Sequence, residues 1–282
     1  MISCVGTHKF IAGLVHEPPV RSSWSAKFRE LGRTLANRSF LALMIAGIVG
    51  AISAGLRQGL DFYMSAYFWG LTPAQMSYLA IASLFSAFAG VALAPAIARR
   101  FGKKPAMIGV FFASLLVGII PVILRLMALA PANGTRALFW MVLVSAFLSA
   151  VLALAGFVIV SSMMADVVED IAVSTGQRSE GLLFAANGLI AKCVTGVGTF
   201  FSGLILAWVS FPQHATPGQV DPAILYHLGM VFVPIVVIFS GVAITVLMFY
   251  EIDRSTHLRN VERLASGAEP DSEAAKVASL SA

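Results

Sequence analysis

Charge is what this sequence has least of. Asp, Glu, Lys and Arg together make up 12% of its 282 residues, where a soluble domain carries about a quarter. A soluble globule of this length could not cover its apolar side chains with so little charge, so the ordinary water-soluble classes are excluded. Cysteine is scarce too: Cys4 and Cys193 stand far apart and form neither a metal spacing nor a disulfide framework. Cys193 lies inside an apolar run, where a thiol behaves as a small hydrophobe. The histidines, His8, His16, His214, His227 and His257, fall in loops or at helix ends with no acidic or cysteine cluster beside them. No metal site, no catalytic residue and no enzyme is therefore expected. A secretory signal is not expected either, because "FIAGLV" is too short for an apolar signal core.

What the sequence has in excess is oil. Of its residues 58% are hydrophobic, and the mean hydropathy is +0.86. Membrane lipid is the solvent this composition requires. A helical span needs about 20 mostly apolar residues, and six segments qualify: 39–70, 74–98, 105–128, 137–165, 182–210 and 225–250. Between them lie "GLTPAQ", "RRFGKKP", "APANGTR", a polar hinge over 161–181, and "SFPQHATPGQVDP". Barrel strands would show ten-residue alternation instead, so the spans read as helices. The expected fold is an all-α membrane protein with a six-helix transmembrane domain over 39–250. A basic cytoplasmic segment, 1–38, precedes it, and a small, polar, disordered cytoplasmic tail, 251–282, follows. Within the first segment, 27–37 reads as a surface helix or as solvated loop.

The formal charge of +5 does not point to nucleic acid, because the basic residues lie between apolar runs and act as topology signals. With the N-terminus inside, fifteen Lys and Arg fall on the cytoplasmic side, and only Arg125 and Arg136 fall outside. Trp69, Trp140 and Trp208 then all stand at outer helix ends, as an aromatic belt would place them. Both termini are expected in the cytoplasm, with the protein in a bacterial inner membrane.

Ionisable groups inside spans are costly and so point to function. Lys192 lies about 15 Å into its helix at 1.5 Å per residue, close to the midplane of a core about 30 Å thick. It lines a cavity or pairs with another helix. Asn187, one and a half turns nearer the cytoplasm, could line the same path. Arg57 and Asp61, in "GLRQGLD", stand at i and i+4 on one helix face. They are either a self-neutralising pair or part of an outer vestibule with Gln58 and Tyr63. Gly55 and Gly59 would let that helix bend, and Arg125 would snorkel to the surface. "TGVGTFFSG", 195–203, has the look of a potassium filter but lies inside a continuous span. Its small residues instead suit close approach to a neighbouring helix.

The hinge carries Asp166, Glu169, Asp170, Arg178 and Glu180, with Gly176 and Gly181 to let the chain turn. Ion pairs made in one conformation and broken in another would make it a cytoplasmic gate; a solvated loop is the plain alternative. "MMADVVEDIAVSTGQRSEGLLFAANGLIAK", 163–192, resembles the loop between helices ten and eleven of the melibiose-permease-like, or glycoside–pentoside–hexuronide:cation symporter, family of the major facilitator superfamily. The shared pattern is Asp166-Val167-Val168, then Thr175-Gly176, Arg178 and Glu180-Gly181, then a helix with a buried lysine, here Lys192. "ARRFGKKP", 98–105, is similar to the superfamily's short basic turn, and "GTHKFI", 6–11, to the start of its central loop. The resemblance covers essentially the whole chain and aligns it with the C-terminal six-helix half of a twelve-helix protein. It implies a secondary active transporter that carries a sugar or related small solute by cation-coupled symport and alternating access. Lys192 would lie near the cation and solute sites. A coupling cation, sodium or proton, is expected, but the carboxylates that bind it would lie in a missing or separate N-terminal half. A non-transporting membrane interaction module and an inactive truncated fragment are the alternatives.

Overall fold

The computed structural model describes residues 38–175 and 180–250, without the side chains of 38–40, 168–187, 189–191 and 193. The readings of the basic segment, of Arg178 and of the tail lie outside the described residues. Among the described residues there are six α-helices and no strand: α1 (Arg38–Tyr63), α2 (Pro73–Phe101), α3 (Lys103–Leu126), α4 (Arg136–Thr175), α5 (Glu180–Trp208) and α6 (Pro222–Leu247). Five are long and apolar enough to cross a bilayer, α1 together with the π-helical turn Met64–Phe68 that extends it. In α5 the described apolar stretch is Val194–Trp208, shorter than a crossing requires.

Local chemistry sets the helix starts. Thr72 accepts a hydrogen bond from the Gln75 amide at 3.3 Å, while Gln75 Oε1 accepts one from the Thr72 amide at 2.9 Å. Pro73 then fills the first helical position of α2, where no amide hydrogen is needed. Asp221 caps α6 in the same manner, accepting from the Ala223 amide at 2.8 Å, with Pro222 next. Between α2 and α3 the break is the single residue Gly102, at a φ of +82° that favours glycine.

Two elements differ from expectation. The fourth helix was expected to give way to a polar hinge near 165, yet α4 continues to Thr175. From Phe157 to Thr175 there is no glycine or proline to stop it. The rise in polarity marks where the helix leaves apolar surroundings, not where it ends. Trp69 was expected in an aromatic belt, but it is buried, stacked edge-on to Phe68 at 4.9 Å with the Arg125 guanidinium 5.7 Å from its ring. Trp140 and Trp208 are exposed.

The helices pack as two groups. α4 lies against α2 and α3, α1 lies against α5 and α6, and contact between α3 and α6 joins them. Leu43, Met107, Ile159, Met163, Leu247 and Tyr250 form one core at the end that carries Gly102. Leu60, Phe68, Val122, Leu138 and Leu228 form a second at the end that carries Trp69. Lipid is as apolar as these side chains, so van der Waals fit and close backbone approach hold helices together here. Gly90 and Gly198 show how. A Cβ on Gly90 would lie 2.8 Å from the Val151 carbonyl of α4, and one on Gly198 would lie 2.4 Å from the Ile52 carbonyl of α1. Gly55 and Gly59, read as bending points, are contact points for α5 instead.

Candidate functional site

At the Gly102 end, both lysines of the "GKK" turn are tied down. Lys103 Nζ reaches both carboxylate oxygens of Asp166 at 2.7 Å. Lys104 Nζ donates to the Tyr250 carbonyl at 2.8 Å. The turn therefore stitches the start of α3 to α4 and to the chain just beyond α6. Asp166, read as part of a gate facing a neighbouring domain, is buried and salt-bridged within this bundle. Glu169 and Asp170 lie on the last turns of α4, and Glu180 opens α5. Their side chains, and Arg178, lie outside the described residues.

Nearer the Trp69 end, α1 carries the polar group that its sequence announces. Gln58 and Asp61 are exposed, and Arg57 is half-buried. Asp61 is the opposite charge acting on Arg57, but no ion pair joins them. Arg57 instead extends toward α3 and α4: a Cβ on Gly118 would lie 3.8 Å from its Nη2 and 3.1 Å from Ser149 Oγ. Tyr63 is stacked on Tyr67 at 6.0 Å and meets Phe211 edge-on at 5.1 Å. Tyr67 in turn donates to the Ala215 carbonyl at 3.1 Å, holding the α5–α6 loop. Arg125, expected to snorkel, lies over the Phe68 ring at 5.2 Å.

Lys192 is exposed on α5; Asn187 is on the same helix, its side chain outside the described residues. α1 and α5 run in the same direction, because Gly55 faces Thr195 and Gly198 while Gly59 faces Ser202. In that register Lys192 stands level with residue 49, about 12 Å along the axis from Arg57 and about 18 Å from Asp61. The structure thus keeps the two candidate cations apart, at different depths of the bundle.

Sequence reasoning missed the roles of two pairs of residues. Lys103 and Lys104 were read only as topology charges, and nothing in one dimension shows that Lys103 meets a carboxylate 63 positions on. Ser114 and Ser149 were passed over, although each hydroxyl donates to the other's backbone carbonyl, at 2.8 and 3.0 Å. A hydroxyl at the middle of an apolar run was the available signal. Among the described residues no cluster of His, Cys, Asp and Glu could hold a metal ion.

Residues 1–254 match the family model described as MFS/sugar transport protein. Among curated proteins, the "Putative 2,3-dihydroxypropane-1-sulfonate exporter" of Escherichia coli (strain K12) is 25% identical over 81% of this chain and 46% of its own length. The Salmonella typhimurium protein of the same name is 24% identical over 89% of this chain and 52% of its own length. An uncharacterized symporter of Synechocystis sp. is 25% identical over 81% of this chain and 41% of its own length. The chain spans about half the length of these curated relatives.

Proposed function

We propose, from the premise that this chain belongs to the MFS/sugar transport protein family, that it supplies the C-terminal six-helix half of a secondary active transporter. That family consists of transporters, not enzymes, and the chain is an integral membrane protein of apolar helices. The observation that carries the reading is the exposure of Gln58, Asp61 and Lys192 on apolar helices. Lipid would not accept those groups, so they border an aqueous path that another half-transporter closes. Lys192 and Asn187 line that path on α5, and Arg57, Gln58, Asp61 and Tyr63 line it on α1.

The solute is a small hydroxylated molecule, a sugar or a relative of one. A sodium or proton gradient drives it through carboxylates held by the N-terminal half. Support for this scope comes from the relatives' names, one an exporter of a dihydroxylated sulfonate and one a symporter. Glu169, Asp170, Arg178 and Glu180 form the gate on the cytoplasmic side, where both termini lie, in a bacterial inner membrane, and the Lys103–Asp166 pair anchors its base within the bundle. α5 is the sixth crossing.

Co-expression with a matching N-terminal half tests this. Vesicles holding the assembled protein should accumulate labelled D-glucose, D-glucuronate or 2,3-dihydroxypropane-1-sulfonate under an imposed sodium or pH gradient. A stable complex that moves none of them would favour a non-transporting interaction module.

A further inference from the structure

A guanidinium inside a membrane bundle is stable only beside an anion or a set of hydrogen-bond acceptors. Arg57 reaches between α3 and α4 at the place where Gly118 leaves room. The nearby hydroxyls of Ser114 and Ser149 donate to each other's backbone carbonyls, and neither accepts a hydrogen bond from Arg57. Asp61, one turn along α1, acts on Arg57 only through its field. Among the described residues, Arg57 makes neither a hydrogen bond nor an ion pair. Yet it is half-buried, so part of the side chain stays open, with Gln58 and Asp61 exposed beside it. Five donors in a rigid planar fork match a bidentate oxyanion better than any single hydroxyl.

We infer that Arg57 binds the carboxylate or sulfonate of an anionic, hydroxylated solute, and that Gln58 and Asp61 meet its hydroxyl groups. The inference deepens the transport reading and rests on it, because it fixes the sign of the solute's charge. It also fixes the solute's orientation. The acid group points into the bundle at Arg57, and the neutral hydroxyls lie against Asp61, which would repel a second anion. The Asp61 carboxylate accepts from a hydroxyl, and the Gln58 amide both donates and accepts.

The complete protein, purified in detergent, is melted in D-glucuronate, isethionate, D-glucose or chloride at matched ionic strength. Glucuronate and isethionate should raise the melting temperature of the native protein above its value in chloride, by about 2 °C or more near saturation. Glucose should not. R57Q should abolish the anion shift, and R57K, which keeps the charge without the fork, should weaken anion binding about tenfold. If R57Q does not purify as a single species, R57K decides, and undiminished binding by it overturns the assignment. So does the absence of any anion shift in the native protein, an equal shift with glucose, or a shift that survives R57Q. Flux in vesicles separates the two readings. Arg57-dependent anion stabilisation without flux removes the transport role and leaves the anion site. Flux of neutral sugar without anion stabilisation does the reverse.

Discussion

The closest test of the fold is a glycine series along α1 and α5. A Cβ on Gly198 would lie 2.4 Å from the Ile52 carbonyl oxygen, 3.0 Å from Gly55 Cα and 3.0 Å from Leu56 N. All three are backbone atoms, so no side chain can rotate away. The helices would have to part by about 1 Å, which forfeits a quarter to a half of the dispersion well for each contact affected. Overpacking of this kind costs about 1–3 kcal/mol, and the better helix propensity of alanine returns about 1 kcal/mol. Gly198→Ala should therefore lose up to about 2 kcal/mol net. Gly55→Ala, whose Cβ would meet the Thr195 carbonyl oxygen at 2.2 Å, should lose at least as much. Gly59→Ala would meet the Ser202 hydroxyl, which can rotate, but also Ser202 Cβ at 2.7 Å, which cannot, so it should cost a comparable amount. Gly196 and Gly203 have nothing within 4 Å of the added atom, so their alanine variants should melt at or above the native temperature. Thermal unfolding in one detergent, followed by retention of the monodisperse peak, ranks all five. Gly198→Ala melting as high as Gly196→Ala would refute the α1–α5 contact.

Other perturbations follow the same reasoning. Lys103→Ala removes two bonds to a buried carboxylate, and Lys104→Ala removes one to a backbone carbonyl. The first should cost about 2–4 kcal/mol and the second about 1–2, measured by the same melting assay; equal losses would show the ion pair to be incidental. Asp221→Ala should lose about 1 kcal/mol with the cap of α6, and Asp221→Asn should restore most of it. An unchanged melt in Asp221→Ala would discard the cap. Lys192→Ala should abolish gradient-driven uptake by the assembled transporter while its melting stays unchanged, since Lys192 is exposed; normal coupled uptake would remove it from the pathway. Arg178→Ala should alter turnover more than affinity, and a change in affinity alone would end the gate assignment.

The helices were legible because bilayer thickness converts directly into run length, and because short polar breaks such as "GLTPAQ" separate the runs. Where polarity and helicity part company, the reading failed. At 166–175 the chain turns polar without a helix breaker, so α4 runs on. Trp69 failed for another reason. Its position at a span end says nothing of which way the ring turns, and here, just after the π-helical turn Met64–Phe68, it turns inward. Pairing across the bundle was equally invisible: Lys103 with Asp166, or Ser114 with Ser149, depends on which helices become neighbours.

The candidate site shows most sharply what sequence and coordinates each contribute. Composition picks out every ionisable group in an apolar span as costly, and it treats them alike. The structure divides them by what already satisfies them. Asp166 is met by Lys103, and Arg125 by the faces of Phe68 and Trp69. Arg57 and Lys192 have no such partner among the described residues. In a medium that penalises unmet charge, the first two are explained by the fold they hold together. For the other two no counterpart is present among the described residues, and the proposed solute path rests on that, with an anion at Arg57 and water at Lys192.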